Sequence, residues 1–286
     1  MKKIAIVSDS VCSLPQELIQ TYGIRIMPLH IIWAGKDYRD GVDITPEDFY
    51  KLMRSSKELP TSSAPSVEDF LEAFQEASQE ASGLACILMS SRLTNRNSVF
   101  EAVEMLKGKT PNFPIEIIDS KTVIGALGLI VLSAARAASQ GKELSEVVKV
   151  AEDIRNQVSQ LMSLDTLKYL ARGGRIGKAA SWAGNMLNVK PIIEVPVSTG
   201  IVTPVERVRT KRKALERMID IMRERVGAKP VHVIIDHCDA IEEAEWLRDK
   251  VSSQFDCLEI YVCSASPVVG LYPGPGAVGP SFYAEA

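Results

Sequence analysis

Leu84–Met89, the run LACILM, is continuously apolar and ends at the polar tip SSRLT of Ser90–Thr94. A helical pattern follows from Ser98 to Leu106. An apolar run of this length is typical of a strand that is buried on both faces, as in a parallel sheet covered by helices. The stretch therefore predicts one strand–helix unit of an α/β fold.

The same unit occurs on either side of this stretch. Ile4–Val7 leads to the tip Asp9–Ser10, Ile115–Ile118 leads to the tip Asp119–Ser120, and a helical pattern follows each tip. Strands that alternate with helices predict a largely parallel sheet with helices on both faces. Ligands of such folds bind outside the carboxyl ends of the strands, so we expect the three polar tips to line one rim.

The alternation of strands and helices starts again near Leu164 and continues to Val262. The glycine- and proline-rich stretch Gly270–Ala277 then predicts irregular structure. A chain of 286 residues is long enough for two ordinary domains, each with its own core. We predict two α/β domains, residues 1–162 and residues 163–286, of which the first has the largely parallel sheet.

The charge of the chain argues against several classes of partner. The formal net charge is −3, without the basic excess that nucleic-acid binding requires. We therefore expect no nucleic acid, and at most a transient contact with a membrane surface. The longest uncharged run, Thr122–Ala135, is too short to span a bilayer and is predicted to be a buried helix.

The five cysteines are scattered and contain no C-x-x-C pair. This spacing gives no zinc site and no redox pair. We expect reduced thiols and a cytoplasmic protein.

The segment Pro60–Ser66, PTSSAPS, concentrates hydroxyl groups between two prolines. Ser66 precedes Val67-Glu68-Asp69 and a helical pattern, which indicates a helix N-cap. Free amide groups at a helix start and the nearby hydroxyls can together hold an anion. The alternative is a solvated loop that only caps the helix.

Gly125 and Gly128 lie three residues apart in the buried helix. Each glycine costs a helix about 1 kcal/mol relative to alanine, so both positions are expected to need the space. Two interpretations are open: close packing of the helix on a sheet, or room for an apolar ligand.

Arg172-Gly-Gly-Arg175, with Lys178 nearby, forms a compact cationic turn. It is either a solvated loop or a contact for an anion or an acidic partner.

Signatures of catalysis and of nucleotide binding are missing from the sequence. It contains no G-x-S-x-G elbow, no Walker loop and no G-x-G-x-x-G after a strand. The three histidines, His30, His232 and His237, fall within or at the ends of predicted strands. His237 is the only one that we regard as a candidate site residue, and no cluster of metal ligands is predicted.

Eight short motifs, in this order along nearly the whole chain, resemble the DegV family of bacterial lipid-binding proteins. The best understood branch of that family is the fatty-acid-carrying subunit of fatty acid kinase. The motifs are Asp9-Ser10, Tyr38–Gly41, Thr61–Ser66, Ser90–Thr94, Asp119–Lys121, Tyr169–Ile176, Leu187–Pro191 and Gly274–Ala277.

The resemblance implies that an extended long-chain fatty acid lies in the N-terminal domain, beside Gly125 and Gly128 if these glycines make room for the tail. It also implies that the C-terminal domain closes over the head group and that hydroxyls at the domain interface hold the carboxylate. The residues carried over for the carboxylate are Thr61, Ser62, Ser91, Thr94 and Tyr272.

The resemblance further implies a separate fatty acid kinase subunit that uses ATP to phosphorylate the bound acid. Arg172, Arg175 and Arg209 would then face the acyl phosphate or that partner. The carrier itself is expected to have no catalytic residues and no cofactor, because the fatty acid is its ligand.

This chain departs from the family pattern at the third tip and near the C-terminus. Arg92, Asn95 and Arg96 stand where smaller residues are common, and Tyr272 stands where histidine is common. Two alternatives therefore stay open. One is a small acyl or phosphoryl hydrolase or transferase that uses Asp9 and Ser91, and the other is a regulatory module that has lost its ligand.

Overall fold

A computed structural model describes residues 4–55, 58–182 and 189–285. The strands are β1 (Ile4–Asp9), β2 (Arg25–Met27), β3 (His30–Trp33), β4 (Lys36–Arg39), β5 (Thr61–Ser63), β6 (Gly83–Leu88), β7 (Ile115–Asp119), β8 (Ser159–Gln160), β9 (Met162–Ser163), β10 (Lys190–Glu194), β11 (Thr203–Val208), β12 (Val231–His237), β13 (Cys257–Ser264) and β14 (Val278–Ala284). The helices are α1 (Gln16–Tyr22), α2 (Pro46–Ser55), α3 (Val67–Glu80), α4 (Asn97–Lys109), α5 (Ile124–Ser139), α6 (Leu144–Arg155), α7 (Lys168–Arg172), α8 (Lys211–Val226), α9 (Ile241–Gln254) and α10 (Pro267–Gly270), with a 3-10 helix over Gly177–Trp182.

The first sheet is parallel, with strand order β2-β1-β6-β7. Every residue of β1 and β6 is buried, which explains why Ile4–Val7 of β1 and Leu84–Leu88 of β6 are continuously apolar. Helices α3 and α4 pack on one face through Phe74, Val99 and Leu106, and α5 and α6 cover the other face. The predicted α/β fold is confirmed.

The second sheet is mixed, with strand order β11-β10-β9-β14-β12-β13 and β8 paired to β14. Strands β12 and β13 are parallel, whereas β14 is antiparallel to its partners. Helices α8 and α9 pack on this sheet through Met218, Met222 and Leu247. The chain enters the second sheet at Ser159, and the division into domains at residues 162 and 163 stays a prediction.

Helix α5 lies between the two sheets and contacts β1, β12 and β14. Of its 16 residues, 13 are buried. A Cβ atom on Gly125 would lie 2.5 Å from Asp236 Oδ2, and one on Gly128 would collide with the Ser13 carbonyl oxygen. These glycines therefore allow close packing. The contacts favour the packing interpretation, and the role of both glycines beside an acyl tail stays a prediction.

A small antiparallel sheet, β4-β3-β5, stands beside the first sheet. Its strand β5 contains Thr61–Ser63, which the sequence placed in a loop. The Ser66 side chain caps α3 by accepting a hydrogen bond from the Asp69 amide at 3.1 Å, as predicted. The cap and the strand pairing together fix the direction of the hydroxyl-rich segment.

In the part of the chain that the structure describes, no helix combines the length and the apolar character needed to cross a bilayer. All five cysteines are unpaired. Residues 187 and 188 of the motif Leu187–Pro191 lie outside the described residues.

Candidate functional site

An inner cavity of about 350 Å³ lies between the rim of the first sheet and the second sheet. Its apolar lining includes Leu29, Met89, Val123, Met162, Ile193 and Val269. Because Ile193 lies on β10, the cavity lining extends beyond residues 1–162. The placement of the tail in the N-terminal domain stays a prediction.

An outer cavity of about 300 Å³ adjoins the inner one. Thr61, Tyr169 and Arg172 contribute to its lining. Three residues line both cavities, and we call them the boundary residues. They are Ser62, Arg175 and Tyr272.

The boundary residues contact one another. The Ser62 hydroxyl and the Tyr272 hydroxyl are hydrogen-bonded at 2.7 Å, and the Arg175 guanidinium lies over the Tyr272 ring, 5.3 Å from its centroid. Arg175 also donates hydrogen bonds to the Gly173 carbonyl at 2.8 Å and to the Leu93 carbonyl at 3.3 Å. Two hydroxyls and one cation therefore meet where the two cavities join.

Glycine in the cationic turn makes this arrangement possible. A Cβ atom on Gly173 would lie 2.7 Å from the Tyr272 ring. Gly174 has φ of +69°, in the left-handed region that favours glycine. The double glycine of the turn thus lets the aromatic ring pack against the backbone between Arg172 and Arg175.

The third tip supplies further polar groups to the inner cavity. Thr94 and Asn95 both line it. Among the described residues, the Thr94 hydroxyl has one long contact of 3.5 Å, to the Asn95 carbonyl, which leaves it available to a ligand. Arg96 points elsewhere and donates to Asp119 Oδ1 at 3.1 Å, so this departure from the family pattern ties two strand tips together.

The predicted carboxylate residues do not all lie together. Ser62, Thr94 and Tyr272 line the inner cavity, whereas Thr61 lines only the outer cavity. Ser91 lines neither, and its hydroxyl donates to Asp119 Oδ2 at 2.6 Å.

The three predicted arginines are also divided. Arg172 lines the outer cavity and Arg175 lies at the boundary. Arg209 is exposed in the turn before α8 and lines neither cavity.

Two buried acids hold the rim of the first sheet. Asp9 accepts hydrogen bonds from the Met89 amide at 2.8 Å and the Val11 amide at 3.1 Å. Asp40 accepts from the Ser10 hydroxyl at 2.6 Å and the Val268 amide at 3.1 Å. Burial, opposed by these hydrogen bonds, raises the pKa of each carboxyl to about 6. Both oxygens of Asp9 are thus engaged by the backbone.

Sequence reasoning missed Asp40 and Gln160. Asp40 lies within the motif Tyr38–Gly41, but its partner Val268 lies far along the chain, so the sequence does not reveal their contact. Gln160 lines the inner cavity, yet a single glutamine in an apolar stretch gives no signal. The described residues contain no group of His, Cys, Asp or Glu side chains that could hold a metal ion.

The DegV family model matches residues 3–285 of this chain. The chain belongs to the DegV family. A DegV domain-containing protein of Clostridium perfringens is 35% identical over 291 residues, which cover 100% of both chains.

Solved DegV structures share the fold. The DegV family protein of Thermus thermophilus, described as fatty acid binding, is 29% identical with a TM-score of 0.90, covering 99% of this chain and 100% of the other. A stearic acid-binding protein of Eubacterium ventriosum is 25% identical with a TM-score of 0.88, covering 98% of each chain. The DegV fold therefore extends over nearly the whole chain.

Proposed function

We propose that this DegV protein binds a long-chain fatty acid, with the tail in the inner cavity and the carboxylate at the boundary residues. One observation carries the proposal: an apolar cavity ends at two hydroxyls and a guanidinium. A fatty acid has the same division into a long apolar part and a single anionic end.

The tail supplies most of the gross binding free energy. Each buried methylene contributes about 0.8 kcal/mol, so a dozen methylenes give roughly 10 kcal/mol before the costs of binding are subtracted. The apolar lining from both sheets provides the surface for this burial.

The head group fits the hydrogen-bonding capacity of the boundary. Ser62 and Tyr272 are hydrogen-bonded to each other, and one of the two hydroxyls can turn to donate to a carboxylate oxygen. Thr94 offers a second donor from the third tip, and Arg175 offers the compensating positive charge. A carboxylate is thereby held without a metal ion.

The names of relatives agree with this ligand class. The Thermus thermophilus protein is described as fatty acid binding and the Eubacterium ventriosum protein as stearic acid-binding. Identities of 29% and 25% over nearly the whole chain support the transfer of the ligand class to this chain.

The second part of the proposal is presentation of the carboxylate to a separate acyl kinase. The outer cavity adjoins the boundary, and the exposed Arg172 and Thr61 line it. A phosphoryl group that is transferred to the bound carboxylate would enter this cavity and meet Arg172. The kinase would then carry out the phosphoryl transfer, while this chain positions the carboxylate and contributes the positive charge of Arg172.

Native mass spectrometry of the protein purified from a bacterial host tests the ligand class. We expect a bound mass in the range of long-chain fatty acids, which solvent extraction removes and added fatty acid restores. A protein that carries no such mass and takes up no added fatty acid would refute the proposal.

A further inference from the structure

Gln160 is a polar side chain in the apolar inner cavity. It lies on β8, paired with Ser281 of β14, and only 4% of it is exposed to solvent. It lines the inner cavity but not the outer one. Gln160 therefore lines the cavity that is assigned to the tail and is not itself a boundary residue.

The orientation of its amide is fixed by one hydrogen bond. The Val195 backbone amide donates to Gln160 Oε1 at 3.1 Å. Because a backbone N–H can only donate, the oxygen must face Val195 and the nitrogen must point to the other side. Gln160 Nε2 makes no hydrogen bond to any residue within 4–55, 58–182 or 189–285.

Both N–H groups of this amide thus lack a partner among the residues that the structure describes. Val123, Met162 and Ile193 share this lining, and of these three side chains only the Met162 thioether can accept a hydrogen bond, and only a weak one. An entirely hydrocarbon tail would bury the two donors unpaired, which disfavours binding. A tail with an oxygen atom at this place would pair them.

We propose that Gln160 selects acyl chains that carry an acceptor oxygen, such as a hydroxyl or keto group, at a fixed distance from the carboxylate. The inference rests on the proposed fatty-acid binding and adds a subclass of ligand to it. The Gln160 amide donates to the chain oxygen, while the boundary residues hold the carboxylate.

Dissociation constants of the wild-type protein for stearic acid and for a positional series of hydroxystearic acids test the inference. We expect one position, or two adjacent positions, to bind about tenfold or more tightly than stearic acid. The keto acid with oxygen on the same carbon should gain as much, since it accepts but cannot donate.

The variant Gln160→Met removes the donors at similar length. It should bind stearic acid at least as tightly as wild type and lose the preference for the oxygenated acid. The control Gln20→Met makes the same substitution at an exposed glutamine of α1 that lines neither cavity, and it should keep the preference. If Gln160→Met fails to fold because the Val195 amide loses its acceptor, the hydroxy and keto series on the wild type decides.

Three results would overturn the inference. One is equal affinity of wild type for stearic acid and every oxygenated isomer, as expected if water satisfies the amide. The second is a gain for the hydroxy acid without a gain for the keto acid. The third is a preference that survives in folded Gln160→Met. Failure to bind any fatty acid would instead refute the proposed function, and this inference with it.

Discussion

The inner and outer cavities share Ser62, Arg175 and Tyr272 but are built in different ways. Strand tips and strands of both sheets wall the inner cavity, so its shape depends on the packing of the entire molecule. The outer cavity is formed by a short turn, the segment before β5 and the residues near Tyr272. We infer that tail binding is a property of the fold, whereas access to the head group depends on a few local residues.

Filling the inner cavity should give the largest effect. Ala64 is a small residue of its lining, and Ala64→Phe would occupy space assigned to the tail. Displacing several methylenes at about 0.8 kcal/mol each should weaken fatty acid binding about 100-fold. A fluorescent fatty acid displacement assay measures this change.

Ala180→Phe, at an exposed alanine on the 3-10 helix, is the matched control and should leave affinity unchanged. Unaltered binding by a folded Ala64→Phe protein would place the tail elsewhere.

The pH dependence of stability tests the contribution of the buried Asp40 carboxyl at the rim of the first sheet. The pKa of Asp40 is raised from 3.8 to about 6 by burial, so the folded protein keeps this proton at pH values where the unfolded chain has lost it. The contribution of Asp40 to stability therefore falls as pH rises from about 4 to about 6. Asp40→Asn removes this titration.

The unfolding free energy of Asp40→Asn relative to wild type should thus increase by about 2 kcal/mol between pH 4 and pH 7. Urea denaturation of both proteins at the two pH values measures the difference. A constant difference would show that Asp40 titrates alike in the folded and unfolded states.

The boundary should respond to loss of a single hydroxyl. Tyr272→Phe removes the partner of Ser62 and retains the ring beneath Arg175. Loss of one donor to a charged ligand should weaken fatty acid binding about tenfold. Isothermal titration calorimetry measures it, and Tyr38→Phe, at a tyrosine that lines neither cavity, serves as the control. An affinity equal to that of wild type would remove Tyr272 from the carboxylate site.

A substitution in the lining of the outer cavity should change fatty acid affinity the least. Arg172→Ala should alter fatty acid affinity less than about twofold, because the exposed guanidinium is screened by solvent. It should slow acyl phosphate formation by an acyl kinase and ATP about fivefold, through loss of one phosphate contact. Arg223→Ala, at an exposed arginine of α8 outside both cavities, is the control and should change neither quantity. Equal rates of acyl phosphate formation for Arg172→Ala and wild type would show that Arg172 in the outer cavity does not contribute to phosphoryl transfer.

The sequence predicts the first sheet well because β1 and β6 are buried on both faces, and Ile4–Val7 and Leu84–Leu88 are continuously apolar. It does not reveal β14, since Gly279 and Pro280 interrupt the strand pattern. Gly279 is required because a Cβ atom there would collide with the Leu161 carbonyl oxygen on the neighbouring chain segment. The requirement comes from tertiary packing, which no local pattern contains.

The site divides in a similar way. The hydroxyl-rich segment, the third tip and the cationic turn are visible as motifs, and the family resemblance connects them. The hydrogen bond between Ser62 and Tyr272 joins residues 210 positions apart. The Gln160 amide becomes a candidate ligand contact only because residues of both sheets enclose an apolar cavity around it. Contacts of this kind depend on the assembled fold.

Helix α5 packs on both sheets at once, with 13 of its 16 residues buried. Separation of the two sheets would expose most of α5 to solvent, and the exposure of so much apolar surface would cost a large amount of free energy. We therefore expect the fatty acid to enter through the outer cavity, past Arg172, with its methyl end first. The rate of fatty acid exchange would then depend on how far the Tyr272 side chain moves away from the boundary between the two cavities. Longer acyl chains would dissociate more slowly.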